Sequence, residues 1–315
     1  MYHPYLRGKQ NELILLRENA KLLSSARMIP IIEPVKKNLA PLEKAIESLA
    51  KENVPFILIV NPRNGDFKND SLPLFSDLID TTLKDYEQFC LGYIVDAEST
   101  LLDIKSFLDD NITRSISFIH NGYPKANELA NVLKDFDNVK KHIFIDKKSQ
   151  NGKLYQSKFI KDGISQVLIR DGFNKNKNSD YPDNEQFSEL HLTYKLEGMN
   201  GFGDFLIVGD DYSENGGPAY AVALHLTYIG DEELMYIKHF KSIRMDTPTD
   251  PAGKFAEALY NLVMEVESED SQIIKTGAYK KYKEYYEKGH FPGLGVAKKL
   301  SMQHHIETLA KFLSE

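Results

Sequence analysis

Cysteine is almost absent from this chain, because Cys90 is the only one among 315 residues. A single thiol forms no disulfide within the chain and cannot supply the cysteine set of a structural zinc site, which fits a reducing compartment. The first residues, Met1 to Arg7, also lack the basic segment and the long apolar run of a secretory signal. The sequence therefore predicts a cytosolic protein.

An excess of positive charge and long apolar runs are missing too. The net charge is −7 at pH 7, which disfavours bulk binding to nucleic acid because such binding depends on neutralising phosphates. No stretch is long and apolar enough to span a bilayer, so we expect no membrane association. With 42% hydrophobic and 27% charged residues, the composition predicts a globular chain with ample core.

Several familiar motifs are missing as well. No strand-like run leads into Gly-x-Gly-x-x-Gly, and no P-loop is present, which argues against a Rossmann fold and against a P-loop nucleotide site. No Ser–His–Asp or Cys–His set can be recognised. Cys90 begins a predicted strand, at the end opposite to where a parallel barrel carries its site.

What the sequence does contain is a repeated short apolar run that ends at a polar side chain. The clearest case is Met28-Ile-Pro-Ile-Ile-Glu-Pro-Val35, which is interrupted only by Glu33. Similar runs end at Asn61, Asp96 and His120. Continuous apolar runs of this length are typical of strands buried on both faces, as in parallel sheets.

Amphipathic stretches of helical period separate these runs, and the alternation is typical of βα units around a parallel sheet. The predicted strands are residues 2–6, 28–34, 56–61, 91–95, 117–120, 142–145, 166–170 and 205–209. The predicted helices are 11–23, 41–51, 75–89, one from a cap at Ser99 or Thr100 through Leu108, then 125–134, 154–160 and 186–196. The fold class predicted is α/β, a (β/α)8 TIM-like barrel, with an open doubly wound sheet as the alternative.

After the eighth predicted strand the pattern changes. Residues 219–241 read as an inserted β-hairpin, 253–266 as the last barrel helix, and 267–315 as a C-terminal helical segment packed on the barrel. The predicted domains are therefore 1–266 and 267–315. If the hairpin turn centres near Asp231, His225 and His239 are diagonal neighbours on one face, and we interpret them as packing residues rather than a metal pair.

A barrel carries its functional groups at the C-terminal ends of its strands, because the loops that follow line one mouth. Side-chain alternation predicts that Glu33, Asp96 and His120 point into this mouth, and these are the predicted catalytic residues. The predicted substrate-binding residues are Arg7, Lys9, Asn61, Arg63, Arg170 and Asp210. Such a mixture of charges suits a small anionic ligand. Glu33 and Asp96 are the candidate metal ligands, with a divalent ion such as Mg²⁺ as the candidate cofactor.

Each of these side chains also has a structural explanation. Asp96 precedes a turn, where Asp is favoured as a cap, and His120-Asn-Gly is itself a turn sequence. Arg7 and Arg170 can serve as ion-pair partners that hold the mouth together. Glu33 is the hardest to explain in this way, since a carboxylate that ends an apolar strand is costly without a partner or a task.

Five segments carry a resemblance to a known family. They are Pro4–Glu12, Ile29–Pro34, Ala221–Tyr228, His239–Phe240 and Ala252–Ala258. Together they resemble a bacterial family similar to the phage "beta protein" group, over nearly the whole chain. The resemblance implies a bacterial source and a phage-defence or mobile-element context, and it implies no reaction.

A second likeness is to glycerophosphodiester phosphodiesterases, which are barrels that open with His-Arg-Gly followed by Glu-Asn. Leu6-Arg7-Gly8 stands in that place here, with Asn11-Glu12 after it, so the first histidine is missing. That family's acid–base mechanism is therefore not carried over to this chain.

The sequence leaves two functions open, and it does not decide whether the protein is an enzyme. The first is a barrel enzyme acting on an anionic, phosphate-bearing ligand, with hydrolase or phosphodiesterase-like chemistry. The second is a non-catalytic scaffold or sensor, in which the hairpin or the tyrosine-rich C-terminal helices bind a protein partner.

Overall fold

The computed structural model describes residues 1–68, 71–147, 152–214 and 217–314. The chain divides into two compact units, and each is a combination of two segments. The barrel unit comprises Met1–Arg170 and Thr193–Asp204, and the C-terminal unit comprises Asp171–Leu192 and Phe205–Glu315, of which Glu315 lies outside the described residues.

The barrel unit is built on a parallel sheet that follows the chain order. Its first strands are β1 (Tyr5–Leu6), β2 (Ile31–Ile32), β3 (Phe56–Ile59), β4 (Phe89–Val95), β5 (Ile116–His120), β6 (Val139–Ile145) and β7 (Ser165–Ile169). Strand β8 (Asn184–Ser188) belongs to the C-terminal unit, and β9 (Gly201–Gly203) is the eighth barrel strand in the described part of the chain. A parallel bridge between Tyr2 and Phe202 brings β9 back to the start, so the sheet forms a nearly closed barrel. The predicted (β/α)8 fold is confirmed.

Helices and turns of varied length connect the barrel strands. They are α1 (Gln10–Glu18), α2 (Ala20–Ser25), α3 (Ala40–Lys51), α4 (Leu72–Leu74), α5 (Leu101–Asp110), α6 (Ala126–Leu133), α7 (Lys153–Gln156) and α8 (Leu190–Thr193). The helix predicted over 75–89 is wrong beyond Ile79. A π-helix over Phe75–Ile79 follows α4, and its Asp80 N–H donates to the Phe75 carbonyl at 3.0 Å. This spacing of five residues departs from the α-helical ladder, which then ends.

Gly92 on β4 shows which side chains of β3, β4 and β5 point into the barrel interior. A Cβ on Gly92 would lie 2.9 Å from Ile57 Cγ2 and 3.0 Å from Ile119 Cδ1, so these isoleucines point inward across β3, β4 and β5. Ile31 pairs with Ile57 in the sheet and shares its face. Since side chains alternate, Glu33 also points inward, two residues beyond Ile31.

The eighth barrel strand is not where the sequence predicted it. Residues 205–209 do not form a strand; Leu206 adopts a φ of 51° inside a turn. Strand β9, Gly201-Phe-Gly203, takes that place beside β7. A Cβ on Gly203 would lie 2.0 Å from the His3 carbonyl oxygen, so only glycine allows so close an approach.

The described part of the C-terminal unit combines an antiparallel sheet with three long helices, and it also holds Leu190–Leu192 of α8. Its remaining elements are β10 (Ala223–Ile229), β11 (Met235–Lys241), α9 (Pro251–Glu267), α10 (Gly277–Lys288) and α11 (Leu294–Ser314). The predicted hairpin is confirmed, and β8 pairs with β11 on its other side. The helix predicted over 186–196 is wrong at its start, because residues Asn184–Ser188 satisfy their backbone groups on β11 and bury Phe187.

The hairpin and the C-terminal helices share one hydrophobic core. Leu224 and Leu226 of β10 are buried with Leu259 and Leu262 of α9 and with Leu300 of α11. The predicted boundary at residue 266 therefore differs from the observed one, since α9, the hairpin and the later helices bury a common set of side chains. Among the described residues, no helix has the length and apolar character to cross a membrane.

Candidate functional site

Glu33 is a buried carboxylate inside the barrel mouth, and both of its oxygen atoms have partners. Only 1% of it is exposed. Its Oε2 atom accepts a hydrogen bond from the Tyr5 hydroxyl at 3.0 Å and lies 3.7 Å from Arg7 Nε. Its Oε1 atom accepts from the Arg63 backbone N–H at 2.9 Å and from Asn64 Nδ2 at 3.0 Å. These donors compensate for the burial of the charge and leave both oxygens engaged.

Asp96 is paired with Arg63 in a two-pronged contact at the same mouth. Arg63 Nε donates to Asp96 Oδ2 at 2.6 Å, and Nη2 donates to Oδ1 at 3.2 Å. Arg63 Nη2 also donates to Ser99 Oγ, which in turn donates to Asp96 at 2.9 Å. Arg63 thus binds Glu33 through its backbone and Asp96 through its side chain, and it joins the two carboxylates.

Three other predicted residues lie near these strand ends and make structural contacts. Asn61 donates to the Ile94 carbonyl at 2.9 Å and accepts from the Ile94 N–H at 2.8 Å, so its amide extends the ladder between β3 and β4. Arg7 and Lys9 lie in the turn between β1 and α1. Their backbone N–H groups donate to Glu12 Oε2 at 2.6 and 3.5 Å, which fixes the turn.

His120 does not point into the barrel mouth, so this part of the site prediction is wrong. Because Ile119 faces inward, its neighbour His120 faces outward, toward the segment that follows β6. There its Nδ1 is 2.8 Å from the Tyr155 hydroxyl and its Nε2 is 2.9 Å from His142 Nδ1. Burial and the neighbouring His142 hold the pKa of His120 well below its ordinary value.

Arg170 is also directed away from the interior, in contrast to the prediction. A Cβ on Gly203 would meet Ile169 Cδ1 at 2.5 Å, so Ile169 faces inward and Arg170 faces the opposite side. Its Nε donates to Asp146 at 2.7 Å and its Nη2 to Glu197 at 3.0 Å. Burial lowers the pKa of Arg170, but the hydrogen bond with Asp146 and the charge of Glu197 outweigh it and raise that pKa.

Asp210 belongs to the C-terminal unit rather than to the barrel unit. Its backbone N–H donates to Asp171 Oδ2 at 2.7 Å, within the same unit. The structure therefore brings Arg7, Glu33, Asn61, Arg63 and Asp96 together at the ends of β1 to β4. His120 and Arg170 have other partners within the barrel unit, and Asp210 belongs to the C-terminal unit.

The described residues contain no group of three or more His, Cys, Asp or Glu side chains arranged to hold a metal ion. The two candidate metal ligands at the barrel mouth have other partners. Glu33 accepts from the Arg63 backbone N–H and lies beside the Arg7 guanidinium, and Asp96 accepts from the Arg63 guanidinium.

The C-terminal unit contains a cavity of about 800 Å³ that the sequence did not predict. Its charged lining consists of Lys175, Lys177 and Lys298, and none of its described lining residues is Asp or Glu. Its polar groups include His225 and Ser301, and Ile207, Val222 and Leu294 contribute to its apolar walls. A smaller adjoining cavity of about 360 Å³ shares Lys175 and is lined by Asp171, Asp210 and Asp211.

Two histidines and a glutamate form a hydrogen-bonded chain that ends at this cavity. His225 on β10 lies directly opposite His239 on β11, so the predicted diagonal register is wrong. The two Nδ1 atoms are 2.7 Å apart, and His239 Nε2 is 3.2 Å from Glu185 Oε1 on β8. Burial, then His239 and Lys298, hold the pKa of His225 well below its ordinary value.

Sequence reasoning missed this site for identifiable reasons. It placed Glu185 directly before a helix predicted over 186–196, and so gave it no partner on β11. It noted His225 and His239 but had no third group to join them. The one usable signal was the alternation in Asn184-Glu-Gln-Phe-Ser188, where the buried Phe187 is flanked by polar residues as in an edge strand.

Comparison with known proteins adds little to this picture. No protein-family model matches the chain, and no curated protein sequence matches it. Among solved structures, the chain is similar to one described as a "putative dihydrodipicolinate synthase family protein" from Coccidioides immitis. The identity is 10%, the match covers 98% of this chain and 84% of that one, and the TM-score is 0.42. At these values the likeness does not extend to function or to site residues.

Proposed function

We propose that the protein is a TIM-barrel enzyme that acts on an anionic, phosphate-bearing ligand, and that the cavity of the C-terminal unit holds this ligand. Hydrolysis, in the manner of a phosphodiesterase, is the reaction class that we assign to it. The sequence resemblance to the phage "beta protein" group supports a phage-defence or mobile-element context as part of the same proposal.

The main support for this proposal is the positive charge of the cavity lining. The chain as a whole has a net charge of −7, yet the cavity is lined by three lysines and by no carboxylate among its described residues. A local excess of cations in a concave site concentrates anions and offsets the cost of desolvating them. Lysine ammonium groups are also common ligands of phosphate oxygens.

The size and construction of the cavity support a small organic ligand. Its volume of about 800 Å³ falls within the usual range of small-molecule sites. One wall is anchored by the buried Lys254 of α9, whose ammonium group donates to the carbonyls of Ala219 and Tyr220 at 3.2 and 2.7 Å. A wall fixed in this way costs less entropy when the ligand binds.

A thermal-shift screen tests the proposal. The probes are inorganic pyrophosphate, phosphorylated metabolites, nucleotides and divalent metals, each at a concentration well above the expected dissociation constant. A ligand at about 100 times its dissociation constant stabilises the folded state by about 2.7 kcal/mol, which raises the melting temperature. Three variants accompany the wild type: the double variant Lys177→Glu, Lys298→Glu, the exposed control Lys280→Glu, and Glu33→Gln.

The pattern across the variants identifies the site, with each shift measured from the variant's own baseline. We expect an anion to stabilise the wild type, Lys280→Glu and Glu33→Gln, and to lose its effect in the Lys177→Glu, Lys298→Glu double variant. If the anion fails to stabilise Glu33→Gln but stabilises all the other proteins, the ligand site lies at the barrel mouth instead. If no anion shifts any of these proteins, the proposal fails.

The alternative function, a scaffold that binds a protein partner, is favoured by one exposed surface. Tyr260 and Met264 are 52% and 44% exposed on one face of α9, and the Tyr260 ring lies 6.2 Å from that of Tyr286 on α10. An apolar patch of this kind is typical of docking faces. On the hairpin, Leu224, Leu226 and Ile237 are buried and do not contribute to such a patch.

A further inference from the structure

The order of hydrogen bonds in the Glu185–His239–His225 chain fixes where each proton lies. A carboxylate only accepts hydrogen bonds, and Glu185 accepts from Asn174 at its Oε2 atom. At its Oε1 atom it therefore accepts from His239, which must carry its proton on Nε2. Burial, although opposed by Glu185, lowers the pKa of His239, so this ring is neutral at pH 7 and its Nδ1 atom is a lone-pair acceptor.

The same reasoning gives the position of the proton on His225. His239 Nδ1 is an acceptor, so the 2.7 Å contact requires His225 to donate through its Nδ1–H. A neutral imidazole carries one proton, and His225 Nε2 is therefore an unprotonated lone pair. Within the described ranges, no residue is hydrogen bonded to His225 Nε2, and His225 lines the lysine-bearing cavity with 9% of its surface exposed.

Aromatic packing holds the two rings in this arrangement. The Tyr181 ring stacks on His239 with a centroid distance of 4.5 Å and an angle of 18°. Phe173 and Tyr181 both meet the His225 ring edge to face, at 5.2 and 4.9 Å. Rotation of either imidazole would break these contacts along with the shared hydrogen bond, so the lone pair has a fixed direction.

We propose that His225 Nε2 is a preset proton acceptor for the ligand in this cavity, and that Glu185 and His239 are positioning residues that keep the His225 proton on Nδ1. This inference rests on the proposed function, because the ligand must occupy the same cavity. The ligand class follows from the lining: an anionic group beside Lys177 and Lys298, together with an O–H or N–H group that faces His225.

The proton transfer is balanced within this set of groups. The ligand O–H or N–H bond breaks, its electron pair stays on the ligand atom, and the proton forms a bond with His225 Nε2. The positive charge that His225 gains is stabilised through His239 by the Glu185 carboxylate, as in other carboxylate–histidine arrangements. A bound anion also offsets the charge of Lys298, and this raises the pKa of His225 toward neutrality when the ligand is present.

Nitrogen chemical shifts of histidine test the proton positions directly, without a known ligand. The full chain is labelled with ¹⁵N-histidine, and each ring is assigned from the signals lost in His225→Gln and His239→Gln. At pH 7.5 we expect His225 protonated on Nδ1 and His239 protonated on Nε2. In Glu185→Ala we expect this order of protons to be lost, so that the two nitrogen shifts of each ring move toward a tautomer average. Glu185→Gln keeps an oxygen acceptor and should preserve the order. The exposed control Glu269→Ala should preserve it as well.

Inorganic pyrophosphate, added to the same samples, separates the two proposals. If it moves the His225 Nε2 signal in wild type but not in the Lys177→Glu, Lys298→Glu double variant, both proposals are supported. If the proton order is as expected and pyrophosphate moves no histidine signal, the anion site fails while the order of protons stands. If His225 carries its proton on Nε2, or if Glu185→Ala leaves the shifts unchanged, the inference about His225 is overturned.

Discussion

At the scale of single residues, Glu33 shows how a buried charge depends on its donors. It is 1% exposed and accepts hydrogen bonds from Tyr5, Arg63 and Asn64 beside the Arg7 guanidinium. Replacing Glu33 with Gln keeps the shape but removes the charge that balances Arg7. We expect the free energy of unfolding to fall by about 3 kcal/mol, as for other broken buried pairs, in urea denaturation at pH 7.

The same substitution on the surface provides the control. Glu128 pairs with Lys125 at 3.5 Å, and both side chains are more than half exposed. Solvent screens this pair, so we expect Glu128→Gln to change the free energy of unfolding by less than about 0.5 kcal/mol. Equal losses in Glu33→Gln and Glu128→Gln would contradict the view that burial makes the Glu33 contacts strong.

At the scale of elements, strand β9 has no room for one added methyl group. A Cβ on Gly203 would lie 2.0 Å from the His3 carbonyl oxygen and 2.5 Å from Ile169 Cδ1. The backbone cannot move far enough to accommodate this Cβ without losing the pairing between β9 and β7. We expect Gly203→Ala to lower the free energy of unfolding by about 3 kcal/mol or more, as overpacking does in a tight core.

A glycine in open space tests whether the effect belongs to β9. A Cβ on Gly152 would meet nothing within 4 Å, and this residue has an ordinary negative φ. Gly152→Ala should change stability by less than about 1 kcal/mol. Amide hydrogen exchange locates the damage: in Gly203→Ala we expect faster exchange in β9 and β1, and unchanged exchange there would show that the strand tolerates the methyl group.

At the scale of the whole molecule, buried histidines make stability depend on pH. Burial lowers the pKa of His3 to about 3, of His142 to about 3 and of His304 to about 4. In the unfolded chain these histidines bind a proton near pH 6.5. The stability that comes from burying them in the neutral form is therefore intact above that pH and is lost as the pH falls toward 4. Each histidine contributes a slope of up to about 1.4 kcal/mol per pH unit.

Replacing one of these histidines isolates its share of the slope. His142 lies among Phe118, Phe144 and Phe159, so His142→Phe fits its surroundings although it removes the partner of His120. Urea unfolding at pH 7, 6 and 5 should give a slope that is smaller than in wild type by about 1 kcal/mol per pH unit. An unchanged slope would mean that His142 titrates alike in the folded and unfolded chains.

The barrel and the hairpin could be predicted from the sequence alone, because both depend on local patterns of apolar and polar residues. Apolar runs such as Phe56–Ile59 are buried on both faces, as is typical of strands in a covered parallel sheet. Side-chain alternation also placed Glu33 and Asp96 correctly, because both follow their strands by the assumed register.

The other features became visible in the folded structure, because they depend on contacts between residues far apart in the chain. The prediction put His120 on the inner face of β5, but Ile119 lies there, and side-chain alternation puts His120 on the outer face. Gly201-Phe-Gly203 forms a strand by pairing with β7, where His3 and Ile169 leave no room for a Cβ, and no local pattern predicts this pairing. The Glu185–His239–His225 chain likewise exists only because β8, β10 and β11 come together, and pairing across such separations is invisible in a single sequence.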